Sequence, residues 1–148
     1  MTGDWPAQYR RMKRWQERVV ERDPETLDSD RATIEHFDDL LAFFVNCFAL
    51  RDWIDASGFK LSTDPVEGSK ALRAARDIAN GAKHYRLSPN KRSTANFEVF
   101  RQYKEPPFIL VQFDADHGTE DFNGHDLVNK CVAEWERILT AEGLLPIN

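Results

Sequence analysis

Two stretches decide the fold: Phe37–Ile54, FDDLLAFFVNCFALRDWI, and Ala71–His84, ALRAARDIANGAKH. Wound as a helix, the first is apolar on nearly every side, which places it inside a helical assembly rather than on its surface. The second sets Leu72, Ala75, Ile78, Ala79 and Ala82 in one seam. Small side chains at that spacing let a neighbouring helix approach closely.

Upstream, Trp5, Tyr9, Met12, Trp15 and Val19 recur at steps of three and four, which predicts an amphipathic helix from about Asp4 to Glu21. Arg10, Arg11, Lys13, Arg14 and Arg18 line its other face, and Pro24 ends it. Ser29 or Asp30 caps the second helix, whose apolar positions are read as Ile34, Phe37, Leu41, Phe44, Phe48 and Leu50 to Ile54. Gly58 stops it. Thr63 is then the expected cap of a third helix, with Pro65 in its first turn and its end near His84.

Beyond Pro89 the period changes. Ala95–Tyr103 and Pro107–Asp114 are short, β-branched and aromatic, and they read as a β-hairpin. In the second strand Ile109, Val111 and Phe113 form an apolar face for the helices to cover. The polar stretch DADHGTEDFNG, residues 114–124, reads as a loop, with Asn123 and Asp126 capping a last helix that Gly143 ends. The expected architecture is mainly α: a single domain over residues 1–148, a four-helix up-and-down bundle with a β-hairpin inserted between the third and fourth helices.

Composition agrees with one core. A chain of 148 residues, 41% apolar and 30% charged, is of ordinary single-domain size and too aromatic for an intrinsically disordered segment. No window approaches the roughly 18 uninterrupted apolar residues of a membrane span. Asp4, Trp5 and Pro6 stand where a leader would carry basic and then apolar residues, so the expectation is a cytoplasmic protein with no membrane partner. Cys47 and Cys131 fall within apolar helical patterns and are expected to act as small hydrophobes rather than as a disulfide.

The net charge of −5 is unevenly spread. Residues 1–22 carry +3, residues 23–69 carry −8, residues 70–104 carry +7 and the remainder −7. The basic island comprises Lys70, Arg73, Arg76, Lys83, Arg86, Lys91, Arg92, Arg101 and Lys104. Two readings follow: charge complementarity between alternately basic and acidic helices, or a local phosphate-binding patch.

On the third helix Arg73, Asp77, Asn80, Gly81 and His84 share one stripe, with Arg76 and Lys83 beside it. A guanidinium, an amide and an imidazole held together can orient a phosphodiester and move a proton, which makes Arg76 and His84 the candidate catalytic pair. Asn46, Arg73, Asp77, Asn80 and Lys83 are the candidate binding residues. The competing structural reading pairs arginine with aspartate along the helix and leaves Lys83 and His84 to serve its C-terminal dipole. Asn46, which interrupts FFVNCF, either fixes packing register or reaches across to Asn80, Arg76 or a backbone carbonyl.

The words FFVNCFALRDWI and ARDIANGAKH resemble those of small uncharacterised bacterial and phage helical proteins and, more distantly, the HEPN superfamily, over mainly residues 37–84. That resemblance implies a helical bundle. Many HEPN members act as metal-independent RNases or toxins in defence systems, while others bind nucleotides or serve as non-catalytic modules. The nuclease members carry Arg, four to six residues, then His. Arg76 and His84 have seven residues between them and depart from that spacing. Arg31 and His36 fit it literally, yet thirteen Arg and four His in 148 residues yield about one accidental match of this looseness.

Asp114, Asp116, His117, Glu120, Asp121, His125 and Asp126 do not follow the calcium-loop pattern, and a solvated loop is the plainer expectation than a zinc or manganese site. No Walker loop, dinucleotide turn, zinc ribbon or nucleophile elbow is present, so neither metal nor cofactor is expected. The sequence leaves three readings: a non-catalytic binding or scaffold module, an Arg/His RNase, and a small-ligand or nucleotide pocket between the second and third helices. The candidate partners are RNA or a nucleotide, another protein, and a second copy of the chain in a homodimer.

Overall fold

The computed structural model describes residues 4–27, 29–83, 95–100, 105–115 and 118–147; the side chains of 81–83, 95–96, 113–115 and 118–120 lie outside that description. Among the described residues four helices, α1 (Trp5–Glu21), α2 (Asp30–Ala56), α3 (Lys70–Lys83) and α4 (Gly124–Ala141), stand beside three strands, β1 (Ala95–Phe100), β2 (Phe108–Ala115) and β3 (Gly118–Asn123). A short 3-10 turn, Pro24–Thr26, joins α1 to α2.

Each helix begins where a side chain can take up its orphan amides. Asp4 Oδ1 accepts from Ala7 N at 3.2 Å, Ser29 Oγ from Ala32 N at 3.2 Å, and Asn123 Oδ1 from both His125 N and Asp126 N. After α2 and α4 the chain turns through Gly58 and Gly143, both at positive φ, where a side chain would be strained.

α2 is the central helix and packs against each of the other three. Its buried seam runs His36, Leu40, Phe43, Cys47, Leu50 and Ile54, at steps of four and three, with Asp39 and Phe44 beside it. The expected apolar face is met at Phe44, Leu50 and Ile54 and corrected at its other positions. Ile34 is 58% exposed, and Phe37, Leu41 and Phe48 are only half-buried, because α1, α3 and α4 converge on the neighbouring stripe. Trp135 of α4, the largest fully buried side chain, donates from Nε1 to the Cys47 carbonyl at 3.2 Å. Burying such a ring contributes on the order of 2–3 kcal/mol.

The strands form an antiparallel sheet in the order β1-β2-β3. Phe97 pairs with Val111 across β1 and β2, and Val111 with Phe122 across β2 and β3. Ile109 and Val111 are buried, and Phe97 meets Phe37 and Phe44 of α2 at ring separations of 5.7 and 6.4 Å. The expected hairpin is thus a three-stranded sheet, and the polar loop expected over 114–124 instead supplies the end of β2 and the whole of β3. GTEDFN is poor in β-branched residues, so its extended form comes from the ladder that β2 offers rather than from its own propensity.

A second correction concerns the start of α3. Asp64 Oδ1 accepts from Val66 N at 2.9 Å and closes a turn over buried Pro65 and Val66. Gly68 follows, and Ser69 rather than Thr63 is the cap, its Oγ accepting from Leu72 N at 3.2 Å. Among the described residues no helix is long and apolar enough to cross a membrane.

Candidate functional site

α3 buries Ala71, Leu72, Ala74, Ala75, Ile78 and Ala79, which turns Lys70 and Arg73 outward and leaves Arg76, Asp77 and Asn80 half-buried. Arg73 Nη1 donates to the Glu67 carbonyl at 3.0 Å. Arg76 Nε donates to Asp77 Oδ1 at 3.1 Å, and that carboxylate is only 14% exposed. The four polar residues Arg73, Arg76, Asp77 and Asn80 therefore share one helix over about two turns. Lys83 ends α3, while its side chain and the whole of His84 lie outside the described residues. So do Arg86, Lys91, Arg92, Arg101 and Lys104 of the basic island.

Asn46 belongs to a different seam. Its Nδ2 donates to the Ala42 carbonyl at 2.8 Å, and its Oδ1 and backbone carbonyl accept from Nε2 of the buried Gln8 at 3.1 and 2.9 Å. Arg11 in turn donates to Gln8 Oε1 and lies over the Trp53 ring. The amide is spent on locking α1 to α2, and its hydrogen bonds reach neither Asn80 nor Arg76.

The literal Arg-His spacing is broken apart by helix geometry. Five residues turn an α-helix by about 140° beyond one revolution, so Arg31 and His36 diverge. Arg31 is 91% exposed and pairs with Glu35, whereas His36 is 3% exposed with Nε2 at 3.0 Å from Thr26 Oγ1. Burial pushes the His36 imidazole below its ordinary pKa, helped by the nearby Arg22 and His125; burial lowers His125 likewise. Beside His36, Asp39 accepts from Arg22 Nε and lies 3.6 Å from Arg18 Nε, and Arg22 also reaches Glu35 at 3.5 Å. The hydrogen bond that Arg22 donates to Asp39 holds the guanidinium above its usual pKa.

This buried polar knot was missed in the sequence. The signal was there: His36 falls in register with Leu40, Phe43 and Cys47, so it had to face the core. Charge complementarity is visible around α1, where Arg18 and Arg22 meet Asp39 of α2 and Lys13 meets Glu136 of α4 at 3.5 Å. Tyr9 donates to the same Glu136 at 3.1 Å, and burial with that bond pushes its phenol up to about 12.

Cys47 and Cys131 are free thiols, both fully buried. Cys131 Sγ points at the Ala71 carbonyl at 3.4 Å, and burial together with a hydrogen bond to Cys47 raises its pKa well above the usual thiol range. Neither is a nucleophile in this setting. Among the described residues no group of three or more His, Cys, Asp or Glu could hold a metal ion.

Open grooves occur at the α2–α3 connection, near Arg51, Phe59 and Asp64, with about 330 Å³; between α3 and α4, with about 420 Å³; and between Tyr9, Glu136 and the tail Leu145–Ile147, with about 470 Å³. No family model, curated protein or solved structure matches the chain.

Proposed function

We propose that the chain is a non-catalytic, HEPN-like helical binding module, with its helices running up and down and the strands inserted between α3 and α4. The observation that carries this reading is the Arg76–Asp77 pair. A guanidinium already neutralised by an adjoining carboxylate has less charge to offer a developing phosphorane than a lone one, and suits holding a ligand better than accelerating chemistry on it. The spending of Asn46 on the α1–α2 seam points the same way. RNA or a nucleotide, another protein, and a second copy of the chain are the partner classes that this reading admits.

Purified chain and a His84→Ala variant are to be incubated with metal-free total RNA and with single-stranded oligonucleotides. The binding-module reading expects both to leave the RNA intact. Cleavage by the parent that the variant loses would overturn it in favour of an RNase that uses His84.

A further inference from the structure

The outer face of α2 carries a row of apolar residues that the fold leaves open. At about 100° per residue Ile34, Leu41, Val45 and Phe48 fall within roughly 60° of one another, on the side of the helix away from Leu40, Cys47 and Ile54. Ile34 is 58% and Val45 44% exposed, while Leu41 and Phe48 are half-buried. α1 docks on one flank of this stripe, against Asn46 and Trp53, and β1 on the other, against Phe37 and Phe44. Single exposed apolar residues are ordinary on a protein surface, whereas four along one helix make a docking face.

The charges at the two ends of the stripe say what fits it. Asp30 and Arg31 precede Ile34, and Arg51 and Asp52 follow Phe48, so the order Asp-Arg at one end is mirrored as Arg-Asp at the other. Arg31 is 91% and Asp52 76% exposed. Their ties within the chain are loose: Arg31 to Glu35 at 3.5 Å, Arg51 to Asp52 at 3.9 Å and Arg51 to Asp64 at 3.8 Å. Exposed pairs of this kind exchange partners at little cost. Laid antiparallel with Leu41 on a twofold axis, two copies of α2 set Ile34 of each opposite Phe48 of the other, Arg31 opposite Asp52, and Asp30 opposite Arg51. A parallel arrangement would set Arg31 against Arg31 and Asp52 against Asp52. Asp38, exposed on the same side of the stripe as Arg31, stays at the wet rim.

We infer that this stripe is a dimerisation surface whose occupant is α2 of a second copy of the chain, antiparallel and centred on Leu41. The inference rests on the binding-module reading, from whose partner classes it selects the second copy. A face that matches itself under a half-turn is what an isologous interface requires, and it closes after two chains. The charged ends lie about 33 Å apart at 1.5 Å per residue, so the ion pairs fix the register while the apolar stripe between them supplies affinity. One helix from each copy makes a small interface, and the dissociation constant is expected to be on the order of 10 µM.

The experiment is sedimentation equilibrium of the full chain from about 1 to 300 µM, a span that brackets that constant. The parent is expected to pass from monomer to dimer. Ile34→Glu, at an exposed position, is expected to weaken the dimer about tenfold or more with the helical circular dichroism unchanged. Arg31→Asp sets carboxylates face to face at both ends, and Asp52→Arg does the same with guanidiniums. Each is expected to weaken the dimer about tenfold, and the two together to restore it to within about threefold of the parent. Both new charges suit their end of the helix dipole, so neither change unfolds α2. A chain that stays monomeric at the top of the range, a dimer indifferent to Ile34→Glu, or a double variant that fails to recover overturns the inference. A monomer would still leave the binding-module reading standing, whereas RNA cleavage lost with His84→Ala removes that reading whatever the oligomeric state.

Discussion

Substitution of Asp39 by alanine is the sharpest test of how α1 is held to α2. The Asp39 side chain is 8% exposed, its oxygens face Arg22 and Arg18, and Arg22 is itself 26% exposed. Breaking a fully buried pair costs about 3–5 kcal/mol because one charge is left without a partner, and exposed pairs are worth only about 0.2–1 kcal/mol. With one partner buried and the other a quarter exposed, the expected loss is about 2–3 kcal/mol. For a domain of this size that lowers the melting temperature by roughly 5–10 °C. Urea unfolding followed by circular dichroism measures it, and an unchanged m-value shows that the cost lies in stability alone. Most of the loss reflects a stranded Arg22, so Asp39→Ala combined with Arg22→Ala is expected to be less unstable than the sum of the single variants by about 1 kcal/mol or more. Arg18→Ala, which removes a 63% exposed partner, is expected to cost under about 1 kcal/mol. An Asp39→Ala variant within about 0.5 kcal/mol of the parent, or strict additivity in the double variant, would refute the reasoning.

Three further outcomes concern His36 and two glycines. His36 is held neutral in the fold, while the unfolded chain takes up a proton near the ordinary pKa of about 6.5. Its contribution is therefore intact above that pH and is lost as pH falls below it, at no more than about 1.4 kcal/mol per pH unit; His36→Gln should flatten the decline measured between pH 7.5 and 5.5, and parallel profiles would rule the effect out. At Gly124 a Cβ would sit 3.2 Å from the Ile109 carbonyl and 3.3 Å from Leu40 Cδ1, so Gly124→Ala is expected to cost about 1 kcal/mol despite better helix propensity. Gly68→Ala, which meets nothing within 4 Å, is expected to be neutral or to stabilise by about 0.5 kcal/mol. A thermal melt of the pair would reveal a reversed order if the packing is looser than described.

The starts of α1, α2 and α4 were legible, each with a capping side chain ahead of a periodic run. Asp4, Ser29 and Asn123 each do what their position announces. The start of α3 was misplaced because Thr63-Asp64-Pro65 carries a helix-start signature, yet Gly68 and Ser69 lie downstream and the true cap is the nearer one. β3 was illegible for a different reason: a polar six-residue segment becomes a strand only when a partner edge is present, which is a tertiary fact. α2 shows the limit of periodicity itself. With apolar residues on nearly all sides, its pattern does not single out one face, and the deciding residues were polar: His36 and Asp39 lie on the buried side and Ile34 on the open one. Of the candidate site, the clustering of Arg73, Arg76, Asp77 and Asn80 followed from helical spacing alone, whereas the partner of Asn46 depended on where α1 docks. The α3–α4 groove joins α3 to residues more than fifty positions away, and no local pattern announces it.

The sealed thiols have a practical consequence. The chain has just two cysteines, and neither exposes any surface in the folded state. A maleimide dye or spin label offered to an engineered surface cysteine should therefore attach at that one place, so distance measurements across the molecule need no cysteine-free background.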